Sequence, residues 1–553
     1  MQPALRQKKI ICFLVAFLIM PLSLSACASF TGDIYDSVQE EQGELDISRF
    51  LSAVTDEPDT VDFQRTTIHY DVALNVFNRL VETENGHDGN LVIRPSLAES
   101  WEMSEDGREY TFHLRDNVKF SDGSPLTSSD VLYTFKRLLT FPDGCNRDIA
   151  RPIAGADRLE SGETDELSGF RILSDRDFVI TLEEPFEAFL PCLSMPGASI
   201  MDEESASAAG ELFGMDPEHT IGTGSFILKT WVPSEGMVLV ANPDCFEGPP
   251  KCDGLNLHFM TEPEEIVQMF ENGGLDILNL DKVGNDMEYY IHGDIYQDRL
   301  YAVPQICIVY IALNESVEPL DDVRVRKALQ ISLDRQALLD AVYSGRGAVE
   351  NGIYPHGLYG FNPDLPEIPY DPEEAKELLA EAGYPDGFEM TAAINASSTQ
   401  WEWNLLKLAA VMWEKIGVHA SIEVMDEGRF MSFRKNGGLS CYTAMWTADY
   451  DDPDNFISTF YGSWENTMYR SLCYPDEQVM ERVRKARSIV DPDSRIEEYR
   501  DLERKVAQED AAWVPLFSRV RYYVASERLS GITSSWNGSL VTKYREFSIK
   551  ETE

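Results

Sequence analysis

The 553-residue chain is 43% hydrophobic and 11% aromatic, which excludes a disordered bulk and leaves material for two or three sizeable cores. With 95 acidic residues against 47 basic ones its formal net charge is −48, a balance that argues against nucleic acid as a partner and against an electrostatic grip on an anionic membrane. Acidity this widespread is a solvated exterior and says nothing specific about a ligand.

At the N-terminus, Arg6, Lys8 and Lys9 precede an apolar run from Ile10 to Leu22, the layout of a signal peptide. The run is shorter than the roughly 20 apolar residues a spanning helix needs. Leu24-Ser25-Ala26-Cys27 follows at once and resembles the lipobox of bacterial lipoproteins. That resemblance implies removal of residues 1–26, acylation of Cys27, and a flexible, polar and acidic tether over 27–46. A multiply acylated cysteine holds a chain to the membrane durably, each buried methylene contributing about 0.8 kcal/mol. The alternatives are an ordinary secretory signal with a coincidental cysteine and an uncleaved anchor.

Of nine cysteines, Cys12 belongs to the signal and Cys27 to the lipid, so seven remain and at least one is unpaired. Export permits disulfides, and Cys245 with Cys252 brackets the turn-rich segment 246–250, where a pair could close a small loop. No Cys-x-x-Cys occurs and the eight histidines are scattered, so neither a metal site nor a cofactor is expected.

Along the chain, strand and helix signals alternate. Tyr110 to Leu114 has the pattern of a strand, and Asp106-Gly107 and Asp122-Gly123 fit hairpin turns. The Gly-rich Ile221 to Ser225 runs into a strand-like segment and is a tight turn. Asp321 to Ser344 has the spacing of an amphipathic helix. Asp371-Pro372-Glu373-Glu374 supplies an N-cap, a proline at the first helical position and a capping-box acid for a helix ending at Gly383. A helix over Glu402 to Ile416 stops at Gly417 and gives way to alternation at Val418, Ala420, Ile422 and Val424. Cys441 to Ala448 is a further strand, Asp491 to Glu509 a helix, and Trp513 to Phe517 and Val520 to Val524 two strands. This mixture predicts α/β lobes.

The motifs of catalysis are missing. No Gly-x-Ser-x-Gly, His-Glu-x-x-His, phosphate loop or Gly-x-Gly-x-x-Gly occurs, so no enzyme is expected. Asp449, Asp451, Asp452 and Asp454 crowd together, but counting from Asp449 the glycine and the glutamate of an EF-hand loop are replaced by Asp454 and Phe460.

One stretch carries a specific resemblance. Pro95 to Glu102, Ser104 to Gly107, Tyr110 to Arg115, Val118 to Phe120 and Asp122-Gly123 together resemble the signature of the family 5 extracellular solute-binding proteins, the peptide, dipeptide and nickel receptors of ABC importers. Ile221 to Phe226, the Val323 to Arg335 segment and Tyr370 to Phe388 follow in the family's order, so the resemblance covers about 47 to 550. It implies a periplasmic-binding-protein-like fold of class II (cluster C): two α/β lobes joined by two crossing segments, with an extra small domain. The expected division is lobe I from 47–80, 220–303 and 515–553, the small domain 81–219, and lobe II 304–514.

In peptide-binding members, a Trp-x-x-Asp before Asp-Pro-x-x-Phe supplies the aspartate that meets the ligand's α-amino group. Asp449 matches that position, and Trp446 would offer a flat apolar wall. A withdrawn ammonium needs such a carboxylate in place of its lost water. Asp449 could instead cap a turn and Trp446 could be core, while Asp451, Asp452 and Asp454 are expected to be solvated or turn-capping. Thr66, Thr67 and Tyr70 fall in a region that borders the cleft in relatives. The resemblance thus implies a monomeric receptor that closes on a short peptide, hands it to ABC permease subunits, and has no cofactor. Nickel chelates, haem or oligosaccharides are the alternative cargoes, and a peptide sensor or a hydrolase on the same fold is the alternative of another class.

Overall fold

The computed structural model describes residues 47–85, 91–538 and 543–550. The expected signal peptide, Cys27 and the tether lie outside them. Among the described residues, no helix is long and apolar enough to cross a membrane.

The backbone is organised around a 12-stranded mixed sheet. One half contains Val418–Met425, Phe388–Asn395, Cys441–Thr447 and Cys307–Leu313; the other contains Ile277–Asn279, Phe50–Thr55, Gly254–Phe259, Gly236–Ala241 and Phe226–Val232. Between them runs a strand of 13 residues, Trp513–Ala525. Its first part pairs with Cys307–Leu313 and its last part with Leu300–Pro304 and Ile277–Asn279. The sequence pattern divides this strand in two, but Ser518 and Arg519 stay extended. Gly347–Val349 pairs across Phe517, Ser518 and Arg519, and the Arg519 side chain bonds Gln305 (2.6 Å) and Asp281 (2.9 Å). The chain passes between the halves twice, around Gln305 and around Arg519, and the two passages are tied by the Gln305 N–H donating to the Arg519 carbonyl at 3.0 Å.

A separate four-stranded antiparallel sheet, Ala98–Met103, Glu109–Leu114, Asp177–Thr181 and Phe170–Ile172, packs with the helix Ser128–Thr140. Phe112, Phe178 and Phe170 stack face to face in its core, with centroids 5.4 and 4.9 Å apart. Phe112, Leu114 and Phe120 are fully buried as their alternation predicts, and Trp101 is partly buried against them. Gly107 and Gly123 adopt the left-handed backbone that their turns require, at φ +69° and +95°. The Gly-rich turn after Thr220 is glycine for another reason. A Cβ on Gly222 would stand 2.1 Å from the Val76 carbonyl oxygen, and one on Gly224 would stand 2.4 Å from that of Asn75.

The helix expected over Asp321 to Ser344 is two, Val323–Ile331 and Arg335–Tyr343, because the Asp334 side chain accepts from the Ala337 N–H and starts a new helix. Asp371 caps Pro372–Glu381 by accepting from the Glu373 and Glu374 N–H groups. The helix Gln400–Glu414 and the strand Val418–Met425 follow the predicted order. Pro492–Glu503 is α-helical and then widens into a π-turn over Arg504–Glu509. The loop-closing disulfide does not form: Cys245 and Cys252 are both free and buried, Cys252 within the apolar core and Cys245 with its sulfur 3.6 Å from the Ser225 hydroxyl. The other five described cysteines are free as well.

Candidate functional site

The strand Cys441–Thr447 ends where the chain passes between the halves of the sheet. The Ala448 N–H donates to the Ile306 carbonyl (2.9 Å), and Asn537 donates to the Ala448 carbonyl (3.1 Å). Asp449 is thereby fixed beside a crossing segment.

The next turn leads into the helix Asp454–Tyr461, whose first turn presents Asn455. Its side-chain oxygen accepts from the Asp449 N–H (3.0 Å) and from the Trp446 ring nitrogen (3.3 Å), while its amide donates to Asp449 Oδ2 (3.2 Å). Asp449 Oδ1 has no hydrogen-bond partner and the carboxylate no ion pair among the described residues. By surface area Asp449 is exposed, but its side chain opens into the cavity it lines, where the surrounding protein displaces part of its hydration. Desolvation pushes its pKa up to about 6, against the Asn455 bond and the field of Arg470, which lower it.

Asp449, Trp446, Thr67 and Tyr70 line one cavity of about 1540 Å³. Thr66 stands behind it. Its hydroxyl closes a local turn with Ile68, and its carbonyl accepts from the Tyr70 hydroxyl (2.6 Å) and from Asn146 (3.0 Å). Tyr450 crosses from the Asp449 turn into the core of the four-stranded sheet and packs there with the segment around Cys192 and Leu193. A second depression, of about 910 Å³ and lined by Asp364, Asp493 and Glu497 among others, includes none of these residues.

The sequence predicts that the neighbouring aspartates are solvated or turn-capping; Asp452 does cap the turn, but it and Asp454 are buried instead of solvated. Asp452 is buried, paired with Arg495 at 2.6 and 2.9 Å, and accepts the Asp454 N–H. Asp454 is buried and accepts from the Tyr450 and Tyr499 hydroxyls, with Arg487 Nε at 3.2 Å. Asp451 alone stays half-buried, accepting the Tyr359 N–H at 2.7 Å. The partners Arg487 and Arg495 lie in or near helices 30 to 45 positions downstream, which no local spacing discloses.

Sequence reasoning missed three parts of the cavity: Asn455, the basic group Arg434, Lys435 and Arg470, and the segment Thr533 to Asn537. Arg434, Lys435 and Arg470 had a signal, being cations in a chain short of them; Asn455 had only its place in Asp-Pro-x-x-Phe. Among the described residues no group of three or more His, Cys, Asp or Glu side chains is placed to hold a metal ion.

The model of the bacterial extracellular solute-binding proteins, family 5, matches residues 92–468, more than half of the chain. The chain belongs to this family. The dipeptide-binding protein of Escherichia coli is 30% identical over 449 residues, covering 77% of this chain and 80% of that one. The heme-binding protein A of Haemophilus influenzae is 29% identical over 476 residues, covering 83% and 84%. A periplasmic oligopeptide-binding protein of Borrelia burgdorferi superposes with a TM-score of 0.77 at 25% identity, over 90% of this chain and 99% of that one. The two-lobed α/β architecture of the family 5 binding proteins is therefore the fold of this chain.

Proposed function

We propose that this protein is the receptor of an ABC importer and captures di- or oligopeptides in the Asp449 cavity, the peptide's α-ammonium pairing with Asp449. The observation that carries the reading is a carboxylate lining the cavity with one oxygen braced by Asn455, the other without a partner, and no cation within ion-pairing distance among the described residues. An ammonium supplies the missing charge and hydrogen bonds. Recognition through the backbone amine leaves side chains unrestricted, and Trp446 gives one of them an apolar wall. Thr67 and Tyr70 contribute to the lining of the same cavity, with Thr66 shaping their loop.

In this reading the lobes are 47–80 with 220–303 and 515–553, and 304–514, with 81–219 as the extra domain. Both passages between the halves of the sheet fall close to these boundaries. Ligand touching both lobes stabilises the closed form, which membrane permease subunits recognise; no bond is made or broken. The receptor is a monomer held to the outer face of the cell membrane by acyl chains on Cys27.

Native mass spectrometry of protein purified without refolding, followed by thermal-shift screening with di- to pentapeptides, their N-acetylated forms and hemin, tests the ligand. A bound mass in the peptide range, with stabilisation lost on N-acetylation and in Asp449→Ala, is expected. Stabilisation by hemin and by no peptide overturns the assignment. Labelling of the expressed chain with a radioactive fatty acid, abolished by Cys27→Ser, tests the anchor.

A further inference from the structure

Seven Arg and Lys side chains line the Asp449 cavity, and they fall into two groups. Arg79 and Lys543 pair with Glu82, Arg487 with Asp454, and Arg545 with Glu247. Arg434, Lys435 and Arg470 have no carboxylate within ion-pairing distance among the described residues. The three converge on one ring. Their charged groups lie 5.9, 5.4 and 5.7 Å from the centroid of Tyr469, so like charges are crowded around a single point. Arg470 makes one long bond, to the Asn466 carbonyl at 3.4 Å, and Arg434 Nε is buried with no partner.

A shortage of acids does not explain this, because the chain has 95 of them to 47 bases. The end of the helix Glu427–Lys435 accounts for cations at 434 and 435, which favour the negative end of the helix dipole. Arg470 likewise stands at the end of the short helix Trp464–Tyr469, but the dipoles do not account for the convergence of all three on one ring, where Arg470 also stacks on Phe460 and Trp446. Cation–π contacts hold the guanidinium in place without neutralising it.

We propose that Arg434, Lys435 and Arg470 form an anion subsite for a group of two negative charges, so that the protein selects peptides with an acidic side chain beside the C-terminal carboxylate. This rests on the amine-capture reading above. Trp446 connects the two subsites: its ring nitrogen bonds Asn455, which holds Asp449, and Arg470 lies over its ring at 5.5 Å. A dipeptide, about 7 Å long when extended, reaches across one indole. Three positive charges exceed what a single carboxylate balances, and they set a local attractive field inside a protein whose exterior repels acids.

Calorimetric titration with Ala-Gln, Ala-Glu and N-acetyl-Ala-Glu separates the possibilities. Wild type is expected to bind Ala-Glu about tenfold or more tightly than Ala-Gln. In Arg434→Met/Arg470→Met, and more mildly in Lys435→Gln at an exposed site, that ratio is expected to collapse toward one and to lose its salt dependence. Equal affinities for the two peptides in wild type overturn the anion subsite while leaving amine capture standing. A ratio that survives in the folded variants, or an equal loss of both peptides, also overturns it and makes the cations braces of the wall. Equal binding of the acetylated peptide, or binding of none, removes the amine-capture reading and this one with it.

Discussion

Asn455 grips Asp449 twice, donating to its Oδ2 at 3.2 Å and accepting from its backbone N–H at 3.0 Å. The residue proposed to meet the ligand is therefore oriented by one that belongs to the following helix. Asn455→Ala leaves the Asp449 N–H and the Trp446 ring nitrogen without their acceptor. It is expected to cost about 1–3 kcal/mol of stability and to weaken peptide binding about tenfold, read by denaturant unfolding and calorimetry. Wild-type affinity in the folded variant would show that Asp449 orients itself.

Peptide affinity should depend on pH through Asp449, whose pKa is pushed up to about 6 by desolvation. Lost hydration favours the neutral acid, so without a ligand ionisation removes stability as pH rises from the ordinary carboxylate range through 6. An ammonium beside the carboxylate reverses that preference, so binding below pH 6 must release a proton. Affinity is expected to be level above pH 7 and about tenfold lower at pH 5. Asp451 also stands at about 6, so Asp449→Asn, which should flatten the profile at lower affinity, identifies the group.

Asp452 and Arg495 form a buried pair with side chains 5% and 3% exposed. Arg495→Met strands the carboxylate and is expected to cost about 3–5 kcal/mol of unfolding free energy, most of it recovered in Asp452→Asn/Arg495→Met. An equally unstable double variant would mean that Arg495 acts through packing on Tyr499, over which its guanidinium lies.

Of the seven described cysteines, Cys145 alone is not buried, and it lines the cavity. Maleimide should label it much faster than the others, and a bound peptide should slow that reaction. Peptide-independent labelling, followed by mass spectrometry of the digested protein, would place the ligand elsewhere.

Much of the fold was legible because its signals are local. Asp371 with Pro372 marks a helix start, Gly417 a stop, and alternation at 418–424 a strand. That Asp449 and Trp446 line a cavity was legible only through resemblance, since nothing in their own spacing separates a cavity wall from a turn cap or a core position. What stayed hidden depends on distant partners. Asp452 and Asp454 look like solvated turn residues until Arg495 and Arg487 fold onto them. Ser518 and Arg519 interrupt the apolar pattern of a strand that Gln305, Asp281 and Gly347–Val349 keep continuous.

That uninterrupted strand, Trp513–Ala525, gives both halves of the sheet a common member. Neither half is a module that can be exchanged with a relative or expressed as a fragment, because each loses a hydrogen-bonded edge when the other is taken away. A chimera that changes specificity must therefore graft the cavity turn and its supporting helices onto an intact sheet, and a cut or reporter insertion anywhere from 513 to 525 disables both halves together.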